Sequence, residues 1–145
     1  MDKPTYELIV TEEALRFEFE SVGKERVVKK VIRYAETNIS GLYNLSLVDV
    51  LINGAESDTA ITDNGDMEKI LATVLSTFPL FLNRYPDCQI FFMGSTPTRT
   101  RLYQIAIRRE LTTALKLFSI NGLTDNGLEP FVADRTHKAF IFALT

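Results

Sequence analysis

The sequence predicts an α+β fold, in which a mixed and mostly antiparallel sheet carries two main helices in the order β-β-β-β-α-β-α-β-β. Three observations favour this fold class. Apolar and polar residues alternate over residues 15–20, which is typical of a half-buried strand. Apolar residues recur at helical spacing over about residues 66–85 and 97–118. A second alternation, over residues 140–144, predicts a C-terminal hairpin that closes the sheet.

Residues 5–52 are interpreted as antiparallel strands. A turn at residues 22–25 leads into a β-branched strand over residues 27–35, and Ser40-Gly41 breaks the chain before the strand at 43–52. In that last strand Asp49 shares a face with apolar residues. Because a carboxylate on an apolar face costs free energy unless it is paired, we expect an ion pair, a turn position or a place at the sheet margin.

The first helix is the clearest prediction. Its apolar stripe continues across Pro79, which favours one kinked helix over two. The acidic loop before it does not have the spacing of a calcium loop, so we expect Asp63 or Asp66 to cap the helix. The unit from residue 43 to residue 93 is the best candidate for a right-handed parallel crossover. Asn121-Gly122 and Asn126-Gly127 are interpreted as turns after the second helix.

The second helix follows an apolar strand, a glycine and a pair of hydroxyl residues. Thr96 suits the N-cap and Pro97 the first helical position, and free backbone N–H groups there suit an anion. At 100° per residue, Arg101 and three other cations lie opposite the apolar sector, whereas Arg99 projects over it. The candidate ligand-binding residues are Gly94, Ser95, Thr96, Thr98, Arg99, Arg101 and Tyr103.

Three acidic residues compete for this site or stand near it. Asp49 and Asp66 are possible internal partners for Arg99. Glu110 falls in the apolar sector of the second helix, about three turns or roughly 16 Å from Arg99, too far for a direct pair. We expect Glu110 to pair with a cation, such as Arg33 or Lys30 of the sheet, or with a hydroxyl group, and general acid–base work is the alternative.

Composition argues against some classes of function but does not identify one. The 145 residues, 46% apolar and 24% charged, fit one domain spanning 1–145 of a soluble protein. No apolar run reaches a membrane span and no leader is evident, so the expected location is cytoplasmic, with no membrane partner. Cys88 has no metal-spaced companion, and His137 is expected at the surface or at a strand end. The sequence indicates no metal site, cofactor or catalytic residue, so whether it is an enzyme stays open.

Three functional interpretations remain open. The chain binds a phosphate-bearing ligand, a nucleotide or RNA, at residues 94–101. Alternatively, it is a non-catalytic interaction protein that docks a protein partner through an exposed edge or through the basic strand, which has five cations within residues 24–33. In the third interpretation, residues 94–101 are a structural cap and Arg99 forms an internal ion pair.

Three stretches carry a family resemblance: Asn64-Gly65-Asp66 with the apolar run at 70–74, then Gly94-Ser95-Thr96-x-x-Arg99-Thr100-Arg101-Leu102-Tyr103, and a late Glu129-Pro130-Phe131. Together they are similar to an uncharacterised bacterial family of small proteins that share NGD and GST-x-x-RTRLY signatures. The resemblance covers most of the chain. It implies a bacterial, cytoplasmic, single-domain protein without an established activity.

The order of elements also resembles the second half of GNAT acetyltransferases. That resemblance implies an analogous fold and, as a further alternative, an acyltransferase that holds the pyrophosphate of acetyl-CoA at a Gly-rich helix N-terminus after its fourth strand. At this place the chain has Thr62-Asp63-Asn64-Gly65-Asp66, whose carboxylates repel a pyrophosphate. The helical pair that opens those enzymes is missing as well.

Overall fold

A computed structural model describes residues 5–24, 26–57, 66–110, 116, 118–132 and 134–144, without the side chains of Glu12, Ser57 and Glu110. The helices are α1 (Met67–Arg84) and α2 (Pro97–Glu110), and a short 3-10 helix spans Glu12–Ala14. The strands are β1 (Ile9–Thr11), β2 (Arg16–Val22), β3 (Val27–Glu36), β4 (Leu42–Val50), β5 (Glu56–Ser57), β6 (Gln89–Phe92), β7 (Phe118–Thr124), β8 (Gly127–Pro130) and β9 (Ala139–Leu144).

The strands form one mixed, nine-stranded sheet in the order β1-β2-β3-β4-β6-β9-β7-β8, with β5 paired to β4. Among the strands described, β4 and β6 run parallel, and the other neighbours are antiparallel. The predicted fold class and order of elements are confirmed. The expected parallel crossover is the β4-α1-β6 unit. Two short strands, β5 and β8, were not predicted.

Both helices cover one face of the sheet. Phe92 on β6 packs edge-on against Phe78 of α1 at 6.0 Å and stacks on Tyr103 of α2 at 4.4 Å. Tyr34 on β3 stacks on Phe81 of α1 with ring centroids 4.2 Å apart. Because α1 carries an apolar stripe on this face, it stays a single helix with Pro79 inside it, as predicted.

Asp49 lies on this same face and is buried, with 5% of its surface exposed. Lys30 is its cross-strand neighbour in β3, and its Nζ lies 2.5 Å from the Asp49 Oδ1 atom. This pair confirms the predicted ion pair at Asp49. Lys30 is therefore engaged with Asp49, and Arg33 is engaged with Glu56.

The basic strand β3 lies inside the sheet, between β2 and β4. The Nζ of Lys29 lies 2.9 Å from the Oε1 of Glu18 on β2, and Lys30 and Arg33 have the carboxylate partners named above. Neighbouring strands thus supply carboxylates for Lys29, Lys30 and Arg33.

Three local predictions differ from the structure. Phe118 opens β7 opposite Leu144 of β9, so it does not end the second helix. An aromatic residue at this spacing fits a helix or a strand equally well. Gly122, which was predicted to form a turn with Asn121, lies within β7. The other predicted turn, at Asn126-Gly127, is found at the end of that strand. Asp66 precedes α1 as predicted, but its side chain makes no capping bond, and Asp63 lies outside the described residues.

Candidate functional site

The segment from β6 into α2 is held by internal contacts. A Cβ on Gly94 would lie 2.5 Å from the backbone N of Thr100, so glycine lets the strand end approach the first helical turn. The Gly94 N–H donates to Thr100 Oγ1 at 3.0 Å. Thr96 accepts the Arg99 N–H on its Oγ1 at 3.2 Å, the bond expected of an N-cap residue.

The side chain of Arg99 turns toward a small pocket between β4 and β6. Its Nη1 donates to Ser95 Oγ, and Tyr103 lines the same pocket. Burial raises the pKa of the Tyr103 phenol, and the nearby Arg99 guanidinium lowers it by a smaller amount. Thr98 is exposed and does not line this pocket.

Both aspartates proposed as partners of Arg99 have contacts elsewhere. Asp49 pairs with Lys30, as described above. One carboxylate oxygen of Asp66, Oδ2, accepts bonds from the Tyr6 hydroxyl and, at 2.5 Å, from Ser21 Oγ. The side chain of Glu110, the third acidic candidate, lies outside the described residues.

A larger cleft lies on the other side of the segment at residues 93–95. Because β6 and β9 are antiparallel, the loop that leaves β6 and the loop that enters β9 meet at one end of the sheet. The first turns of α2 form the wall between them. The cleft encloses about 750 Å³ and is lined by Met93, Gly94, Ser95, Thr96, Pro97, Thr100, Arg101, Gln104, Ile105, Arg108, Asp134, Arg135, Thr136, His137 and Lys138.

Cations outnumber carboxylates in the lining of this cleft, four to one. Arg135 donates to Glu129 at 2.7 Å, and Lys138 pairs with Asp125, so carboxylates of the β7–β8 hairpin offset two of these charges. Arg101 and Arg108 are exposed and form no ion pair within the part of the chain that is described. The cleft therefore keeps an excess of positive charge along α2.

Gln104 fixes the loop before β9 against α2. Its Nε2 donates to the Arg135 carbonyl at 2.6 Å, and its Oε1 accepts the His137 N–H at 3.3 Å. A buried amide that bonds two backbone groups holds the two walls of the cleft at a set separation. Gln104 was not among the predicted site residues.

His137 precedes β9, as predicted, but it is buried and not at the surface. Its imidazole stacks on Phe131 with centroids 5.2 Å apart, and its Nε2 lies 3.8 Å from the Glu129 Oε2. Neither ring nitrogen has a hydrogen-bond partner among the described residues. His137 therefore lines the cleft where the cleft borders the sheet.

The structure divides the predicted residues between two sites. Thr96 and Arg101 line the cleft, Arg99 and Tyr103 line the smaller pocket, Gly94 and Ser95 line both, and Thr98 lines neither. The cleft residues that sequence reasoning missed are Gln104, Ile105, Arg108, Asp134, Arg135, Thr136, His137 and Lys138. Arg108 follows Arg101 by seven residues, a helical spacing visible in the sequence. The loop residues become neighbours of the helix through strand order, which the sequence does not reveal.

The geometry of the cleft and the pocket does not by itself define an activity. One family model matches residues 2–145, nearly the whole chain, and it is described as a family of unknown function. The chain belongs to DUF6934. It matches no curated protein and no solved structure.

Two further findings bear on the site in this DUF6934 protein. Within the described residues, neither helix has the length and apolar character needed to cross a membrane. The same residues contain no group of three or more His, Cys, Asp or Glu side chains placed to hold a metal ion.

Proposed function

We propose that this DUF6934 protein binds a small phosphate-bearing molecule, such as a nucleotide, in the cleft beside α2. The observation that carries the proposal is a cleft of about 750 Å³ whose lining has four cations and one carboxylate, Asp134, and in which Arg101 and Arg108 form no ion pair with a described residue. That volume lies within the range of about 300–1,000 Å³ typical of small-molecule sites.

The spacing of the two arginines suits an elongated anionic ligand. Seven residues of helix separate them by about 10 Å along the axis. Arg101 is nearer the Ser95 and Thr96 hydroxyls, which supports placing a phosphate there. Ile105 lies between the two arginines and is 42% exposed, so it offers an apolar surface to the organic part of the ligand.

The N-terminus of α2 offers fewer free backbone N–H groups to an anion than its sequence suggests. Pro97 has no N–H, the Arg99 N–H is taken by Thr96, and the Thr100 N–H bonds the Thr96 carbonyl at 3.1 Å. Part of the structural-cap interpretation is thus compatible with the proposal. Side chains of α2 would therefore supply most of the positive charge that binds the ligand's phosphate.

The other interpretations have less support. RNA binding needs an extended basic surface, whereas the chain has a net charge of −3 and several cations of β3 are paired with carboxylates. Acyl transfer would need a pyrophosphate at the start of α1. Asp66 places a carboxylate there, so we do not propose that activity.

A thermal-shift screen tests the proposal. Pyrophosphate, nucleoside phosphates, coenzyme A and a short RNA are compared at constant ionic strength, with the wild type beside Arg101→Gln and Arg109→Gln. Arg109 is the matched control because it lies on the same helix, outside the cleft, 3.4 Å from Glu68. A small phosphate compound at a hundred times its Kd stabilises the fold by about 2.7 kcal/mol.

We expect the melting temperature of the wild type and of Arg109→Gln to rise with at least one small phosphate compound. The rise should be largely lost in Arg101→Gln. An equal rise in all three proteins would indicate a general salt effect and would contradict the proposal. No rise with any of the small compounds would also contradict it.

A further inference from the structure

Arg135 and His137 lie beside the same carboxylate, that of Glu129. The Oε2 of Glu129 accepts a hydrogen bond from Arg135 Nη1 at 2.7 Å, and the same oxygen lies 3.8 Å from the Nε2 of His137. The side chain of Arg135 is 60% exposed, whereas that of His137 is fully buried. Both residues line the cleft. Glu129 is thus next to a permanent cation and to a ring that becomes a cation only when it takes up a proton.

The ring nitrogens of His137 are not used by the protein in this arrangement. Both are buried, and neither has a hydrogen-bond partner within the described residues. A protonated ring would donate to Glu129 once the Nε2–Oε2 distance shortened by about 1 Å, to the usual length of a charge-assisted hydrogen bond. Because the Glu129 side chain is 23% exposed and the ring is buried, we expect the carboxylate to be the group that moves.

The other described groups that contact the ring do not titrate. Gly122 of β7 lies against its edge, Phe131 stacks on it, and Phe140 of β9 lies with its centroid 6.0 Å away. From α2, Gln104 accepts the backbone N–H of His137. Among the described carboxylates, that of Glu129 is the one within 4 Å of a ring nitrogen. Glu129 is therefore the counter-ion that a buried imidazolium needs.

Protonation of the ring would change the charge of the cleft wall. The charged residues in the lining are Arg101, Arg108, Asp134, Arg135 and Lys138. Lys138 pairs with Asp125, and Asp134 is exposed. While the ring is neutral, Glu129 offsets Arg135. A single carboxylate cannot offset both Arg135 and an imidazolium, so protonation adds one net positive charge beside the cleft.

We infer that protonation of His137 regulates the cleft, which then holds a phosphate-bearing ligand more tightly in mildly acidic than in mildly alkaline solution. The inference rests on the proposed phosphate site and adds the control of that site by pH. Imidazole is the side chain that ordinarily changes charge between about pH 5 and pH 8. One added charge about 10 Å from a phosphate changes the affinity by about threefold to tenfold at physiological ionic strength.

The coupling acts in both directions, because a ligand that prefers the protonated protein must favour protonation by the same factor. His137 is the only histidine in the chain, so its Cε1–H signal in an NMR spectrum reports this ring directly. The midpoint of the His137 titration should therefore move to higher pH when pyrophosphate is bound. This measurement requires only the wild type.

The second measurement is a binding titration of the full chain with inorganic pyrophosphate at about pH 5.5 and about pH 8, at constant ionic strength. The wild type is compared with His137→Gln, Glu129→Gln and Arg109→Gln. Phosphate groups also change charge at about pH 6, so the quantity compared is the ratio of the two Kd values in each protein. Protonation of the ligand affects all four proteins alike, and Arg109, the control, lies outside the cleft.

We expect the ratio of the Kd at the higher pH to that at the lower pH to be about threefold to tenfold larger in the wild type and in Arg109→Gln than in His137→Gln. Glu129→Gln should bind more tightly than the wild type at the higher pH, because it leaves Arg135 without its carboxylate.

Two results would overturn the inference and leave the phosphate site standing. One is an equal Kd ratio in the wild type and in His137→Gln. The other is a His137 titration midpoint that pyrophosphate does not move, and this result decides the question if His137→Gln does not fold. Absence of saturable binding to the wild type at both pH values would overturn the phosphate site, and the inference with it.

Discussion

Gly122 on β7 lies directly against the imidazole of His137, and a Cβ added at Gly122 would stand 1.8 Å from its Cδ2 atom. The ring is buried and also stacks on Phe131. The glycine is therefore needed for close approach within a strand. This contact packs the loop that forms one wall of the cleft against the sheet.

Gly122→Ala should lower the free energy of unfolding by about 1–3 kcal/mol, because the added methyl group overlaps a buried ring that is also stacked on Phe131. Urea unfolding measures the change. His137→Ala removes the ring, so the cost of Gly122→Ala should fall sharply in that background. Equal costs in the two backgrounds would show that the close contact is not the cause.

Lys30→Met should destabilise the fold by about 3–5 kcal/mol, because it leaves the Asp49 carboxylate buried and without its cation. The double variant Lys30→Met with Asp49→Leu removes both charges and should recover most of the loss. Chemical denaturation of the two variants and the wild type provides the comparison. A double variant as unstable as the single one would refute this account of the pair.

Thr96→Ala should cost about 0.5–2 kcal/mol, since it removes the side-chain oxygen that accepts the Arg99 N–H. Thr98→Ala is the matched control, because Thr98 lies two residues further along the chain and is exposed. Its effect should stay within about 0.5 kcal/mol. If both substitutions cost the same, Thr96 does not act as the cap.

Stability should fall at alkaline pH through Tyr34. Burial raises the pKa of its phenol, against a smaller lowering by the hydrogen bond with Thr77. Below about pH 10 the phenol is protonated in both states, so its contribution is fully present. Above that pH the unfolded chain ionises while the folded chain keeps its proton, and the free energy of unfolding falls by up to about 1.4 kcal/mol per pH unit.

Tyr34→Phe removes the ionisable group and should make the alkaline decline shallower. The measurement is urea unfolding between about pH 9 and pH 11, where an unperturbed phenol titrates. Tyr34→Phe also loses the bond with Thr77, so its stability at neutral pH is lower. The informative quantity is the slope of the free energy of unfolding against pH. An unchanged slope in Tyr34→Phe would rule out Tyr34 as the source.

The fold was predictable where the apolar residues of a single helix or strand recur with a clear period. The stripe of α1, the alternation of β2 and the β4-α1-β6 crossover follow from local patterns. The Asp49 pair was also predictable in kind, because a carboxylate on an apolar face requires a partner. Its identity depended on register, which places Lys30 directly opposite.

The cleft was less predictable because its walls are distant in sequence. The sequence placed the candidate site at residues 94–101, and helical phase alone set Arg99 apart from Arg101. Strand order then brings Arg135 and Lys138 beside the outer face of α2. A solvated helix face becomes the wall of a cleft only when another segment stands opposite it, and no local pattern reports that.

The central claim, a phosphate-binding cleft on α2, is tested most directly by equilibrium titration with pyrophosphate at fixed ionic strength. We predict saturable binding to the wild type and to Arg109→Gln, with a Kd at least about tenfold higher in Arg101→Gln and in Arg108→Gln. Absence of saturable binding to the wild type, or equal affinity in all four proteins, would contradict it.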